Sequence, residues 1–461
     1  MKSRLLASVA ALSAGALAIP FAARAQDATQ GQVQMEQQAQ AAPAPAAPAA
    51  PAAPAAPTSN AMSTPAMAGT ITANPNPYSV DLGPWIGKAY ITGQLTGLGF
   101  VQSQAVPSSR GDNPPTLSNG FSGNNTGEAD ISNGMVEVQK TDGMFQYYLD
   151  AGIYSFPVVG MPYIDAEHAN GALFGPLPIA YIKYVPTDSL SFEAGKLPTL
   201  IGEEATFTYE NLNIERGLLW NVENLINRGI QGNYTWGPLA FALSWNDGYY
   251  TDNLKYFTGS VTWTVDSSDT IILAGGGPIS KYTHLNFGAF GATPNQSSGI
   301  AASNQAQIDL SYTYTNGPWT LNPYVQFTHS PPVTVIPGAV AFNSGDTYGA
   351  SLLVGYTFDP STTFMGMSLA GWSLPGRIEW IGSKGSTTGA TPANLLGYGA
   401  NSKAWTFTIT PTYQYKIFFA RAEASFVKAT DVVQGLPGLG FGQSGNSGSQ
   451  FRGMLEAGVV F

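Results

Sequence analysis

The residues of this chain most able to act on a solute are carboxylates, and a period of two places them. Where strand alternation sorts side chains to two faces, Glu137, Asp150, Glu193, Asp309, Glu423 and Glu456 fall on the polar face, with Lys183, Arg421 and Arg452 among them. Residues 199–224 add Glu203, Glu204, Glu210, Glu215 and Glu223 against a single Arg216. Carboxylates along a hydrated passage raise the local cation concentration and repel anions, so mild cation preference is the expected chemistry. A plainer reading makes them scattered solubilising charges, with selectivity left to the width of the passage. Arg421, Glu423, Arg452 and Glu456 share one direction on the last two strands, which suits a cross-strand cluster that stiffens the wall and contacts solute only secondarily. Arg377 and Glu379 follow Pro375-Gly376 so closely that their direction stays open.

Other chemistries find little support. The chain has no cysteine, which removes disulfides and thiol catalysis. Its three histidines, His168, His284 and His329, fall in or beside loops without ligand-type spacing, so no metal is expected. Lipid hydrolysis would need a Ser-His dyad on the outer wall, and no lipid-facing mid-strand position holds a histidine; the chain is therefore expected not to be an enzyme and to need no cofactor. Gly440 to Gly445 matches a dinucleotide-binding pattern, but no helix follows and no βαβ unit surrounds it. Arg110-Gly111-Asp112 would serve adhesion only if exposed.

The elements that must position these charges have one greasy face and one wet face. Trp405, Phe407, Ile409, Pro411, Tyr413 and Tyr415 alternate with Thr406, Thr408, Thr410, Thr412 and Gln414. Near the end of the chain, Phe451, Leu455, Ala457, Val459 and Phe461 oppose Gln450, Arg452, Met454 and Glu456. Sixteen such stretches are expected, from 87–101 to 450–461, with 16–18 as the range. Asp142-Gly143, Gly237-Pro238, Asn316-Gly317 and similar pairs mark short turns that alternate with long connections. Rings gather at both strand ends: Tyr234, Trp236, Trp263 and Trp319 at the short-turn end, Trp245, Phe327, Tyr348 and Trp405 at the other. The whole predicts an all-β fold, a transmembrane antiparallel up-and-down barrel, with its apolar face toward outer-membrane lipid. The weakest stretch is 361–381, where Pro375-Gly376 reads as a bulge inside one long strand.

Three regions follow. Residues 1–25 read as a signal peptide: Lys2 and Arg4, an apolar run from Leu5 to Ile19, then Ala23-Arg24-Ala25. Residues 26–84 read as a disordered periplasmic leader, Gln-rich to residue 40 and Ala and Pro alone from Ala41 to Pro57. That Ala/Pro stretch favours an extended rod on the order of 50 Å, a spacer or cell-wall contact, or a passive sequence. Residues 85–461 form the barrel domain. Loss of the three positive charges in 1–25 leaves 16 of the 19 Lys and Arg against 29 Asp and Glu, which excludes nucleic acid as a partner. Charged residues are 10% of the chain, well under the usual quarter for a soluble domain.

The segment from Phe192 to Gly202, FEAGKLPTLIG, continued by Glu210 to Leu219, ENLNIERGLL, is similar to the strand-to-loop signature of the OmpL-like β-barrel porins of Gram-negative outer membranes. The similarity covers about 85–461. It implies that 199–224 is a constriction loop folded into the barrel, carrying Glu203, Glu204, Glu210, Glu215 and Arg216. It also implies that Phe461 is read by the outer-membrane assembly machinery, and that small hydrophilic solutes diffuse passively through a water-filled, acid-lined pore. A homotrimer is the common assembly of general porins. The alternative is a barrel serving mainly as an envelope anchor or adhesin.

Overall fold

The computed structural model describes residues 69–461 apart from 75, 84–85, 106–124, 284–300, 337–338, 387–393, 433–439 and 443–444. The expected signal peptide, most of the expected leader, Arg110-Gly111-Asp112, His284 and part of the Gly440–Gly445 stretch lie outside these residues. No helix among the described residues is long and apolar enough to cross a membrane.

Sixteen antiparallel strands close into one ring. They are β1 (Lys88–Gln102), β2 (Gly127–Lys140), β3 (Phe145–Tyr154), β4 (Ile179–Thr187), β5 (Leu190–Pro198), β6 (Ile226–Trp236), β7 (Leu239–Asn246) and β8 (Tyr256–Thr264). Then come β9 (Asp269–Pro278), β10 (Ala306–Asn316), β11 (Trp319–Ser330), β12 (Gly345–Tyr356), β13 (Gly376–Gly385), β14 (Lys403–Ile409 and Thr412–Tyr415), β15 (Phe418–Thr430) and β16 (Ser449–Val460). Each strand pairs with its neighbour, and β16 returns to β1 with Leu95 opposite Val459. Phe461 completes the seam: its N–H and carbonyl exchange 2.9 Å hydrogen bonds with Gly93.

The period of two decides which face meets what. Leu95, Val136, Ile182, Leu243, Leu310, Val325, Leu352, Phe407 and Leu455 project outward and exposed. Their neighbours Gln94, Glu137, Ser244, Asp309, Gln326, Ser351, Thr406, Thr408 and Glu456 point inward. This is the inverse of a soluble fold, and it is the arrangement that hydrocarbon on the outside requires. Exposed rings crowd both rims, with Trp319 stacked edge-on against Tyr356 at 4.7 Å at one and Trp405 against Phe426 at 5.5 Å at the other.

Two expectations about the elements need correction. Pro375-Gly376 is no bulge in a strand over 361–381; β13 begins at Gly376. Residues 357–375 instead make an excursion at the short-turn end, with a two-residue hairpin (Thr363–Phe364 with Met367–Ser368) and a short pairing of Trp372 and Ser373 with β14. The strand count is unchanged, but the strict alternation of short and long connections fails there. Proline does interrupt a strand at Pro411, where β14 breaks and Ala422 donates to the Pro411 carbonyl at 3.1 Å. Second, part of the expected 26–84 leader is ordered on the barrel. Tyr78–Asp81 forms a short strand paired with Lys88–Ile91, below the point where β16 stops.

Candidate functional site

The interior polar face does not enclose an open shaft. Two long connections fold into it, residues 155–178 after β3 (the second loop) and 199–225 after β5 (the third loop). They meet one another: Val158 and Arg216 form a parallel bridge, Arg216 donates to the Pro157 carbonyl at 3.1 Å, and Val159 donates to the Arg216 carbonyl at 3.0 Å. Tyr154, Phe156, Phe174, Phe207, Tyr209, Trp220 and Leu225 pack into one apolar core within the barrel, which supplies the burial that keeps both loops inside.

Wall charges grip the main chain of the third loop. Glu423 accepts from Ile214 N–H at 2.5 Å and Glu215 N–H at 2.9 Å. One strand pair further round, Glu379 accepts from Leu218 N–H at 2.9 Å and Leu219 N–H at 3.4 Å. Arg421 donates to the carbonyls of Thr208 at 2.6 Å and Asn211 at 3.0 Å while its Nε bonds Glu456 at 2.6 Å. Arg452 holds the second loop, donating to the Val158 carbonyl at 3.1 Å and the Met161 carbonyl at 2.9 Å, and it pairs with Glu215 of the third. Arg377 pairs with Glu204 and donates to the Glu215 carbonyl at 2.7 Å. A carboxylate against two consecutive N–H groups, or a guanidinium against two carbonyls, is a strong charge-assisted contact in a place where water is scarce.

Local backbone makes room for these grips. At Gly217 a Cβ would collide with the Glu379 carboxylate. At Gly202, held at φ +85°, it would collide with Glu223, and that backbone region is one side chains rarely adopt. A bulge in β2 opposite Thr96 turns both Ser132 and Asn133 inward, and Asn133 donates to Thr208 of the third loop at 2.5 Å.

The model of the family described as "Putative beta-barrel porin-2, OmpL-like" matches residues 88–461. The chain belongs to that porin family. It is an outer-membrane β-barrel, as the inverted amphiphilicity of the wall requires. Among solved structures it is similar to the outer membrane channel DcaP of Acinetobacter baumannii (12% identity, TM-score 0.48, 81% of this chain and 97% of that one). It is similar also to the trimer form of OmpT of Vibrio cholerae (12%, 0.47, 81% and 99%) and to an anion-selective porin from Comamonas acidovorans (11%, 0.44, 81% and 100%). No curated protein matches the sequence.

The family signature now has a structural meaning. In this porin-family barrel its Gly202, Glu215 and Gly217 sit where the third loop meets the wall, and its Arg216 ties that loop to the second. Glu137, Asp150, Asp309, Arg421, Glu423, Arg452 and Glu456 are buried on the inner face, and Lys183 lies 3.6 Å from Glu193 on the neighbouring strand. Arg377 and Glu379, left open by the sequence, both point inward. The expectation that needs correction is an acid ring facing open water. Glu210, Glu215, Arg216 and Glu223 are buried, and four cations are spent on neighbouring acids: Arg377 on Glu204 and Glu379, Arg421 on Glu456, Arg452 on Glu215, Lys183 on Glu193.

Six inward acids have, among the described residues, no ion pair; five keep neutral hydrogen-bond partners, and both carboxyl oxygens of Asp150 are buried without one. Glu137, Asp150 and Glu210 gather on the β2–β3 side with Tyr209 donating to Glu137 at 2.9 Å. Glu203, Glu223 and Asp309 gather on the β10–β11 side, where Asn322 donates to Glu203 at 2.7 Å and Gln326 to Glu223 at 2.8 Å. Arg216 lies between, its guanidinium over the rings of Phe156 at 5.2 Å and Trp220 at 5.1 Å. No group of three or more His, Cys, Asp or Glu among the described residues is arranged for a metal ion. His168 and His329 each sit 2.7 Å from a carboxylate, Asp165 and Asp346. The part sequence reasoning missed is the second loop, which joins the third in the lumen. Its signal was the run of large apolar residues Phe156, Val158, Val159, Met161, Tyr163 and Ile164 in a stretch taken for an external connection.

Proposed function

We propose that this barrel is a passive diffusion channel for small hydrophilic solutes, with mild cation preference and no catalytic step. One observation carries the reading: a closed sixteen-strand ring whose inner wall is mostly polar and whose outer wall is apolar. A ring of that size encloses room for an aqueous channel once its interior is not filled by side chains and loops. Solutes cross down their gradient as the second and third loops yield, and cation preference comes from the six uncompensated carboxylates, which ionise as the yielding loops let water reach them. The N-terminal segment lies on the periplasmic side, the assembly machinery reads the Phe461 end, and the barrel works alone or as a homotrimer.

Single-channel recording of purified protein in planar bilayers tests this, with a salt gradient to read ion preference. Conductance with a cation-selective reversal potential is the expected result. Silence would eliminate the channel, and anion preference would remove the carboxylate argument. The occupied lumen favours a second reading, a barrel that serves mainly as an envelope anchor. Such a barrel would insert normally and conduct nothing.

A further inference from the structure

Ahead of β1 the chain reaches into the barrel from the short-turn end. Gly69 lies so close to the third loop that a Cβ there would meet the carbonyl oxygens of Asn211 at 2.8 Å and Glu210 at 3.1 Å. Ile71 is 1% exposed and belongs to the same apolar core as Tyr148, Phe419 and Val460, each near the short-turn end of its strand. Thr72 is held by both ends of one side-chain amide. Its N–H donates to Gln414 Oε1 at 2.8 Å, its hydroxyl to the same atom at 3.1 Å, and its carbonyl accepts from Gln414 Nε2 at 2.9 Å. Tyr78–Asp81 then leaves along the edge of β1.

We propose that residues 69–74 form a plug at this mouth that braces the third loop in its docked position, so that withdrawing the plug frees the loop and widens the lumen. The contact is placed for the task. The Asn211 carbonyl accepts from wall residue Arg421 at 3.0 Å and abuts Gly69, so that loop main chain is caught between wall and plug. The clamp consists of neutral hydrogen bonds and one apolar side chain, which is strong enough to hold and weak enough to release. The fit is close, because a side chain at position 69 would require Gly69 or the Asn211 carbonyl to shift.

This device rests on the channel reading, and the experiment separates the two. The full chain, the Gln414→Ala variant and a chain lacking residues 26–74 are recorded in planar bilayers, each first shown folded by heat-modifiable migration. Loss of the amide clamp removes three hydrogen bonds to Thr72, so Gln414→Ala should shift the open-to-closed ratio roughly tenfold to a hundredfold toward open. The deletion should hold the channel in its larger conductance level. If both folded variants reproduce the conductance and open fraction of the full chain, the plug is wrong while the channel stands. If none of the three conducts, the channel reading itself fails.

Discussion

Glu210 and Glu204 show how a single carboxyl can make the lumen sensitive to acidity. Burial lifts Glu210 to about 8, with Glu137 adding to the rise against the Phe207 N–H. Burial lifts Glu204 to about 7, opposed by Arg377 and reinforced by Glu379. A carboxyl whose docked value exceeds its ordinary 4.5 favours the docked loop fully below 4.5, and that advantage is lost as pH climbs through 7 to 8. The open fraction should therefore rise between about pH 5 and pH 8.5; a flat profile would contradict the docking role of both residues. Arg421 is the costlier residue to lose. Truncating it to Ala leaves Glu456 buried without its cation and two loop carbonyls without donors, an expected loss of about 3–5 kcal/mol. Glu423→Gln keeps one acceptor oxygen for the Ile214 and Glu215 N–H groups and should cost about 1–3 kcal/mol. Thermal unfolding in detergent ranks the two.

Elements differ in how much of them a sequence discloses. The sixteen strands were legible because lipid outside and polar groups inside impose a period of two over eight or more residues at a time. The third loop was legible through its glutamates and its resemblance, yet its manner of docking was not. Which N–H meets Glu379 or Glu423 depends on residues more than 150 positions apart, and no local pattern encodes it. The excursion over 357–375 misled for a related reason: Phe364, Met365 and Met367 are apolar but stand exposed on a hairpin too short to show a period. Replacing residues 362–369 by a tight turn should leave folding and conductance intact, since the hairpin pairs only with itself among the described strands. Gly217→Ala should do the opposite. It keeps the barrel folded but drives the Glu379 carboxylate off Leu218 N–H, and the channel should open several-fold more often in single-channel traces.

At the scale of the whole molecule, stability belongs to the wall and the bilayer together. Val325 is half exposed at the middle of β11, between Leu310 and Ala350. A Val325→Arg substitution there should destabilise by about 2–4 kcal/mol, whereas Trp319→Arg at the rim should cost about 0–1 kcal/mol for its charge. Folding titrations in lipid vesicles, read by heat-modifiable migration, would show the difference, and equal losses would argue against the hydrocarbon assignment.

The seam between β1 and β16 also bears on how such a molecule is made. Every other junction in the wall joins segments adjacent along the chain, but this one joins the two that are farthest apart, Gly93 with Phe461. Until β16 exists, a growing wall carries two bare flanks that bilayer lipid cannot satisfy, so spontaneous stepwise insertion is forbidden. Both flanks must therefore be kept from hydrocarbon until the seam closes, and that closing step spans the longest sequence separation in the wall.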